Sequence, residues 1–98
     1  MSETDLLKKI VAALCKNFPD GLWIRRNVGG VKTENRFIKF GVSGQADIQG
    51  IYQGLAFEIE VKTEKGKQSE SQKRWQQAVE RCGGSYILAR DVDSAINS

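Results

Sequence analysis

Asp47, Glu58, Glu60 and Lys62 are the residues of this 98-residue chain whose types and spacing suit chemistry. They sit in one continuous stretch: Gly44-Gln-Ala-Asp47, then Ile48-Gln-Gly-Ile-Tyr52, a Gln53-Gly54 break, then Leu55-Ala-Phe-Glu-Ile-Glu-Val-Lys62. In its second half Leu55, Phe57, Ile59 and Val61 alternate with Ala56, Glu58, Glu60 and Lys62, the pattern of a half-buried strand with a charged face. A two-residue hairpin loop at Gln53-Gly54 would set Tyr52 opposite Leu55 and Asp47 opposite Glu60. Directly opposed residues share a face, with Cβ atoms roughly 4.5–5.5 Å apart. The same register places Ile48 against Ile59 and Gly50 against Phe57, and a one-residue slip would push charges into that apolar face. Gln53 is the weak point, because a type I′ turn prefers Asn, Asp or Gly there.

Two carboxylates held that close repel, and one would take up a proton unless a cation intervenes. Aspartate, glutamate and backbone carbonyls are hard oxygen ligands, suited to Mg²⁺ or Mn²⁺ rather than zinc. Such an ion polarises a phosphate oxygen and lowers the pKa of a bound water. Lys62, one strand step from Glu60, is placed to orient that water or to stabilise charge on the phosphate. The chemistry implied is metal-assisted phosphodiester hydrolysis. Taken singly, Glu-x-Glu-x-Lys is more often a solvated strand face with an ion pair, and Gly-x-x-Asp is ordinary turn chemistry. Their meeting on one hairpin favours a site.

The remainder of the composition narrows the choices. Ninety-eight residues make a single domain over residues 1–98, with 40% hydrophobic and 28% charged residues, as in ordinary globular proteins. The chain contains no histidine, which excludes Ser-His-Asp and Cys-His hydrolysis, histidine-ligated zinc and any nuclease with a histidine base. No apolar run reaches the roughly 20 residues of a membrane span, and no signal peptide heads the chain. Cys15 and Cys82 are isolated in sequence, so reduced thiols and a cytoplasmic location, with no membrane partner, are the expectation. The net charge of +3 mildly favours an acidic partner.

The elements that must position these residues follow from periodicity. Residues 2–17 read as a helix with an apolar stripe of Leu6, Leu7, Ile10, Val11 and Leu14, capped by Ser2 or Thr4; Glu3 and Asp5 in its first turn suit the helix dipole. Strands are predicted over 22–27 and 36–40, with residues 28–32 a loop between them. After the hairpin, residues 63–69 are polar, and Ser69 caps a helix running to about 82 in which Gln72, Trp75, Gln76 and Val79 share a face. Trp75 and Val79 read as core, whereas the Gln72 amide needs partners. Gly83-Gly84 ends the helix. A strand over 85–89, parallel to the 55–62 strand, and a last helical turn or two over 92–96 complete a mixed sheet flanked by helices.

This arrangement resembles the PD-(D/E)XK nuclease superfamily, and within it the VRR-NUC (virus-type replication-repair nuclease) domain in its stand-alone minimal form. The resemblance spans about residues 3–89 and rests on Gly44-x-x-Asp47, Ile59-Glu-Val-Lys-Thr63 and Gln68-Ser-Glu-Ser-Gln-Lys-Arg-Trp75. It implies an α/β (α+β), restriction-endonuclease-like fold in the order α-β-β-β-α-β. It implies that Asp47, Glu60 and the Val61 carbonyl bind Mg²⁺ or Mn²⁺, that Lys62 is the catalytic lysine, and that Gln72 is the active-site glutamine. Glu3 corresponds to a first-helix glutamate that reaches the metal in related resolvases, and Glu58 takes a supporting part. The literal Pro19-Asp20 lies ahead of the first strand, and Asp47 follows Ala46 rather than a proline. The function implied is a structure-selective endonuclease acting as a homodimer on branched DNA such as Holliday junctions or flaps. A non-catalytic DNA-binding module of the same fold and a duplex-nicking or restriction-type nuclease are the alternatives. Arg25, Arg26, Lys32, Lys65, Lys67, Lys73 and Arg74 are the candidate phosphate contacts.

Overall fold

Ser2 opens the chain's first helix by accepting the Asp5 N–H on its hydroxyl at 3.1 Å. The helix, α1 (Glu3–Asn17), buries Leu6, Leu7, Ile10 and Leu14 along one stripe. The structure, a computed structural model, describes residues 2–26, 30–32, 37–39 and 44–96. After α1 come β1 (Leu22–Arg25), β2 (Gly30–Lys32), β3 (Phe37–Lys39), β4 (Ile48–Tyr52) and β5 (Leu55–Val61). Then α2 (Glu70–Arg81), β6 (Ser85–Ala89) and α3 (Val92–Ile96) follow.

A four-stranded sheet runs β1-β4-β5-β6, with β5 and β6 parallel and the other pairs antiparallel. Its elements occur in the order α1-β1-β4-β5-α2-β6, the expected α-β-β-β-α-β, with α3 added at the end. The expected loop over 28–32 needs correction: residues 30–32 form β2, paired antiparallel with β3 as a separate two-stranded sheet. Three residues are too few to show the alternation by which a strand is read, and the adjoining glycines mask it further. The rest of that loop, residue 27 of the first predicted strand, and residues 36 and 40 of the second lie outside the described residues.

The β4–β5 hairpin has the predicted register: Tyr52 faces Leu55, Gly50 faces Phe57 and Ile48 faces Ile59. Ile48, Ile59 and Val61 point to one side, where α1 and α3 close over them with Ile87, Ala89 and Ala95. Trp23 lies across Gly50, where a Cβ would stand 2.3 Å from the indole ring, so a glycine is required beneath it. Phe18, Trp23, Tyr52 and Phe57 extend the same layer toward the hairpin tip. The opposite face carries Glu58 and Glu60, and α2 covers it. Among the described residues no helix is long and apolar enough to cross a membrane.

At the hairpin tip Gln53 and Gly54 both adopt positive φ, 51° and 79°, as a type I′ turn demands. A side chain with a Cβ is strained there, by about 1–2 kcal/mol for an ordinary residue, whereas asparagine tolerates the conformation. Gln53→Asn should therefore raise stability by up to about 1 kcal/mol, read as a higher urea midpoint at unchanged slope.

Candidate metal centre

Asp47 ends the turn that leads into β4, at the point where the ladder with β5 runs out. Its carboxylate takes over from the missing strand: Oδ2 accepts the Val61 N–H at 2.9 Å. On its other side, its carbonyl accepts the Arg26 N–H at 2.8 Å, extending the β1–β4 ladder by one residue. Asp47 is thus stitched to both neighbouring strands, beside Glu60. Gly44 explains how the turn reaches this place. Its φ is +87°, and a Cβ there would lie 2.2 Å from the Ser71 carbonyl oxygen, so the turn packs directly on the first turn of α2.

Glu60 is 2% exposed. Its Oε1 accepts the Gln72 Nε2–H at 3.1 Å and lies 3.9 Å from Lys62 Nζ. Its Oε2 is buried, and no group donates a hydrogen bond to it. Burial pushes the Glu60 carboxyl up to about 8; the charge of Asp47 and a hydrogen bond with it add to the rise, Lys62 opposes it, and Glu3 adds a little more. In the absence of a cation the group is therefore mostly protonated at neutral pH.

Gln72 answers the question its amide posed. Its Oε1 accepts the Ser69 N–H at 2.8 Å while the Ser69 hydroxyl accepts the Gln72 N–H at 3.2 Å, a capping box that starts α2. The same side chain donates to Glu60, so one amide both begins the helix and holds the buried carboxylate. Lys62, just past the end of β5, lies against Gly66, where a Cβ would be 3.2 Å from its chain. The turn that places Gly66 is held by Arg90, whose Nη1 donates to the carbonyls of Thr63, Glu64 and Gly66 at 2.8, 3.2 and 2.7 Å.

The structure brings Asp47, Glu60, Lys62, Gln72 and the Val61 backbone together. Glu3, in the exposed first turn of α1, is near enough for its charge to act on Glu60, but no three acidic, histidine or cysteine residues among those described surround one ion position. Glu58 is paired with Arg26 and accepts the Trp75 Nε1–H at 2.8 Å, so its oxygens are already engaged. Arg26, a candidate phosphate contact by sequence, is consumed by this pairing. Trp75, a core residue by sequence, contributes its indole N–H. Nothing about a lone arginine after a strand, such as Arg90, foretells three carbonyl partners. Below α2, Gln68 Nε2 donates to the Tyr86 hydroxyl at 3.1 Å and to Gln76 Oε1 at 2.9 Å. Burial pushes the Tyr86 hydroxyl up to about 12, against the Gln68 hydrogen bond and with help from the carboxylates of Glu60, Asp47 and Glu58.

No family model matches the chain, and no curated protein matches it. A solved structure described as a VRR_NUC domain is similar to it, with a TM-score of 0.61 and 18% identity over 92% of this chain and 89% of that one. The chain has the VRR-NUC fold.

The Glu60 carboxyl yields a pH dependence. Its folded value, about 8, lies above the ordinary 4.5, so the folded state holds the proton more tightly than the unfolded chain does. The stability this contributes is complete below 4.5 and is lost as pH rises through 8. In EDTA, the thermal midpoint should fall across that window, and Glu60→Gln should flatten the fall; equal slopes in the two proteins would refute the assignment.

Proposed function

We propose that residues 1–98 form one nuclease domain, a Mg²⁺- or Mn²⁺-dependent endonuclease that hydrolyses phosphodiester bonds in branched DNA. The observation that carries this reading is Glu60 Oε2, a buried carboxylate oxygen to which no protein group donates, beside a second carboxylate that it can bond only by taking up a proton. Leaving such an atom unpaired is costly, and a hard dication is the partner that fits two carboxylates this close. Asp47 and Glu60 would hold the ion. The Val61 carbonyl would join them, since a strand residue's N–H and C=O leave on the same edge and the Val61 N–H already meets Asp47. Glu3 is the further ligand available from α1. When bound, the ion supplies polarisation of a phosphate oxygen and acidification of a water.

The chain's own groups do the rest. Gln72 fixes the orientation of Glu60 through an amide that the capping box already immobilises. Lys62 holds its ammonium group beside Glu60, largely screened from solvent, where it orients the attacking water and offsets negative charge gathering on the phosphate. No histidine is present to act as base, so acidification of the attacking water would fall to the ion that Asp47 and Glu60 would hold. Lys65 and Lys67 in the loop after Lys62, and Lys73 and Arg74 on α2, are exposed beside the centre and suit contacts to a phosphate backbone. The branched substrate and the homodimer follow the family resemblance, because a two-fold dimer matches a four-way junction that needs two symmetric cuts. Leu22, Ile24 and Ile51, about half exposed on the β1–β4 part of the sheet, supply apolar surface of the kind subunit contacts cover.

The test is cleavage of labelled four-way junction, flap and linear duplex with Mg²⁺ or Mn²⁺. Wild type should cut the branched substrates in preference to duplex. Lys62→Ala and Asp47→Ala should each lower the rate on the order of 100-fold or more. Binding without cutting under either metal would leave a DNA-binding module of the same fold instead.

A further inference from the structure

Glu58 is the buried carboxylate that the proposed chemistry does not use. It lies one strand step from Glu60 on the same face of β5, where an unpaired negative charge would compete for any cation and repel DNA. It is fully engaged instead. Arg26 Nη1 and Nη2 each donate to one of its oxygens, the Nη2 contact at 2.8 Å, and the Trp75 indole N–H donates at 2.8 Å. The guanidinium stands 5.7 Å from the Trp75 ring centroid, and both charged side chains are at least 86% removed from solvent, being 14% and 8% exposed. A bidentate fork of this kind needs arginine; lysine has neither the second donor nitrogen nor the planar face.

Arg26 also belongs to Asp47. Its N–H donates to the Asp47 carbonyl at 2.8 Å, and its Nη1 reaches the Ala46 carbonyl at 3.4 Å. Those are the peptide groups on either side of the Asp47 Cα. One residue therefore restrains both backbone dihedrals of Asp47, leaving its carboxylate only side-chain freedom, which the Val61 N–H takes up at Oδ2. Glu58 on β5 and Trp75 on α2 in turn prevent the guanidinium from moving. We infer that Arg26, locked by Glu58 and Trp75, is the positioning residue that holds the Asp47 carboxylate against Glu60. Its consequence for cation affinity rests on the metal-dependent reading above; its geometry does not.

Two neighbouring amides separate this role from general stability. The Val61 N–H reports Asp47, its acceptor, whereas the Lys62 N–H donates to the Ala89 carbonyl at 3.0 Å and reports the sheet. Amide exchange would be followed by NMR in the metal-free full chain for wild type, Arg26→Lys and the milder Trp75→Phe, and Mn²⁺ binding measured by calorimetry. Arg26→Lys should speed Val61 exchange about ten-fold relative to Lys62. It should also weaken Mn²⁺ binding about ten-fold or more, with Trp75→Phe moving both readouts less in the same direction. Val61 and Lys62 accelerating together, or neither changing in both variants, would overturn the inference. A wild type that binds no Mn²⁺ but whose Val61 amide responds selectively would refute the metal-dependent reading and uphold the positioning role.

Discussion

Everything around the centre answers one electrostatic conflict: Asp47 and Glu60 are carboxyl groups held side by side, and Glu60 is removed from water, where charging it is costly. Burial raises the energy of a charged carboxylate, and a second carboxylate beside it raises it again. The fold concentrates this strain rather than relieving it. Gln72 satisfies one Glu60 oxygen, Lys62 offers a partly compensating charge, and no group donates to the other oxygen. A third carboxylate on the same face, Glu58, is neutralised completely by Arg26. The two glutamates, two residues apart on one strand, thus differ sharply: Glu58 is fully paired, and Glu60 has one oxygen to which no group donates.

Much of this was legible in the residues because the hairpin encodes its own register. Alternation along residues 55–61, together with a Gly at the second turn position, leaves one pairing that keeps Ile48, Gly50 and Tyr52 on the face of Ile59, Phe57 and Leu55. That pairing ends at Ile48 and Ile59, and Asp47 reaches the side of Glu60 through its carboxylate's bond to the Val61 N–H. Ser69 and the spacing to Gln72 likewise state the start of α2 in local terms. Gln53 in the turn shows the limit of residue preference: the register prevails over a poor turn residue, which is held at positive φ.

What could not be read is what depends on distant elements meeting. The partner of Glu58 comes from the end of β1, more than thirty residues earlier, as the sequence separation of 32 records. No local pattern announces it, and Arg26 looked instead like one more cation facing solvent. The short β2–β3 pairing has too few residues for a period. Gly44 reads as a turn glycine, yet its constraint is imposed by the Ser71 carbonyl of α2. Arg90 gathers three carbonyls because the turn after Lys62 curls round it, a geometry that exists in the folded chain alone.

The parallel pairing of β5 with β6 has a further consequence, for the order in which the molecule assembles. The β4–β5 hairpin is local and closes on the microsecond scale of such turns, so it brings Asp47 near Glu60 while both are still solvated. At that stage water screens their repulsion almost entirely. The β5–β6 pairing must wait for the α2 crossover, a non-local and slower event. It is this docking step that strips water from Glu60 and turns a tolerable juxtaposition into a costly one. Docking β6 and α2 therefore carries an electrostatic cost that the hairpin alone does not, and solution acidity bears on it through the single side chain of Glu60.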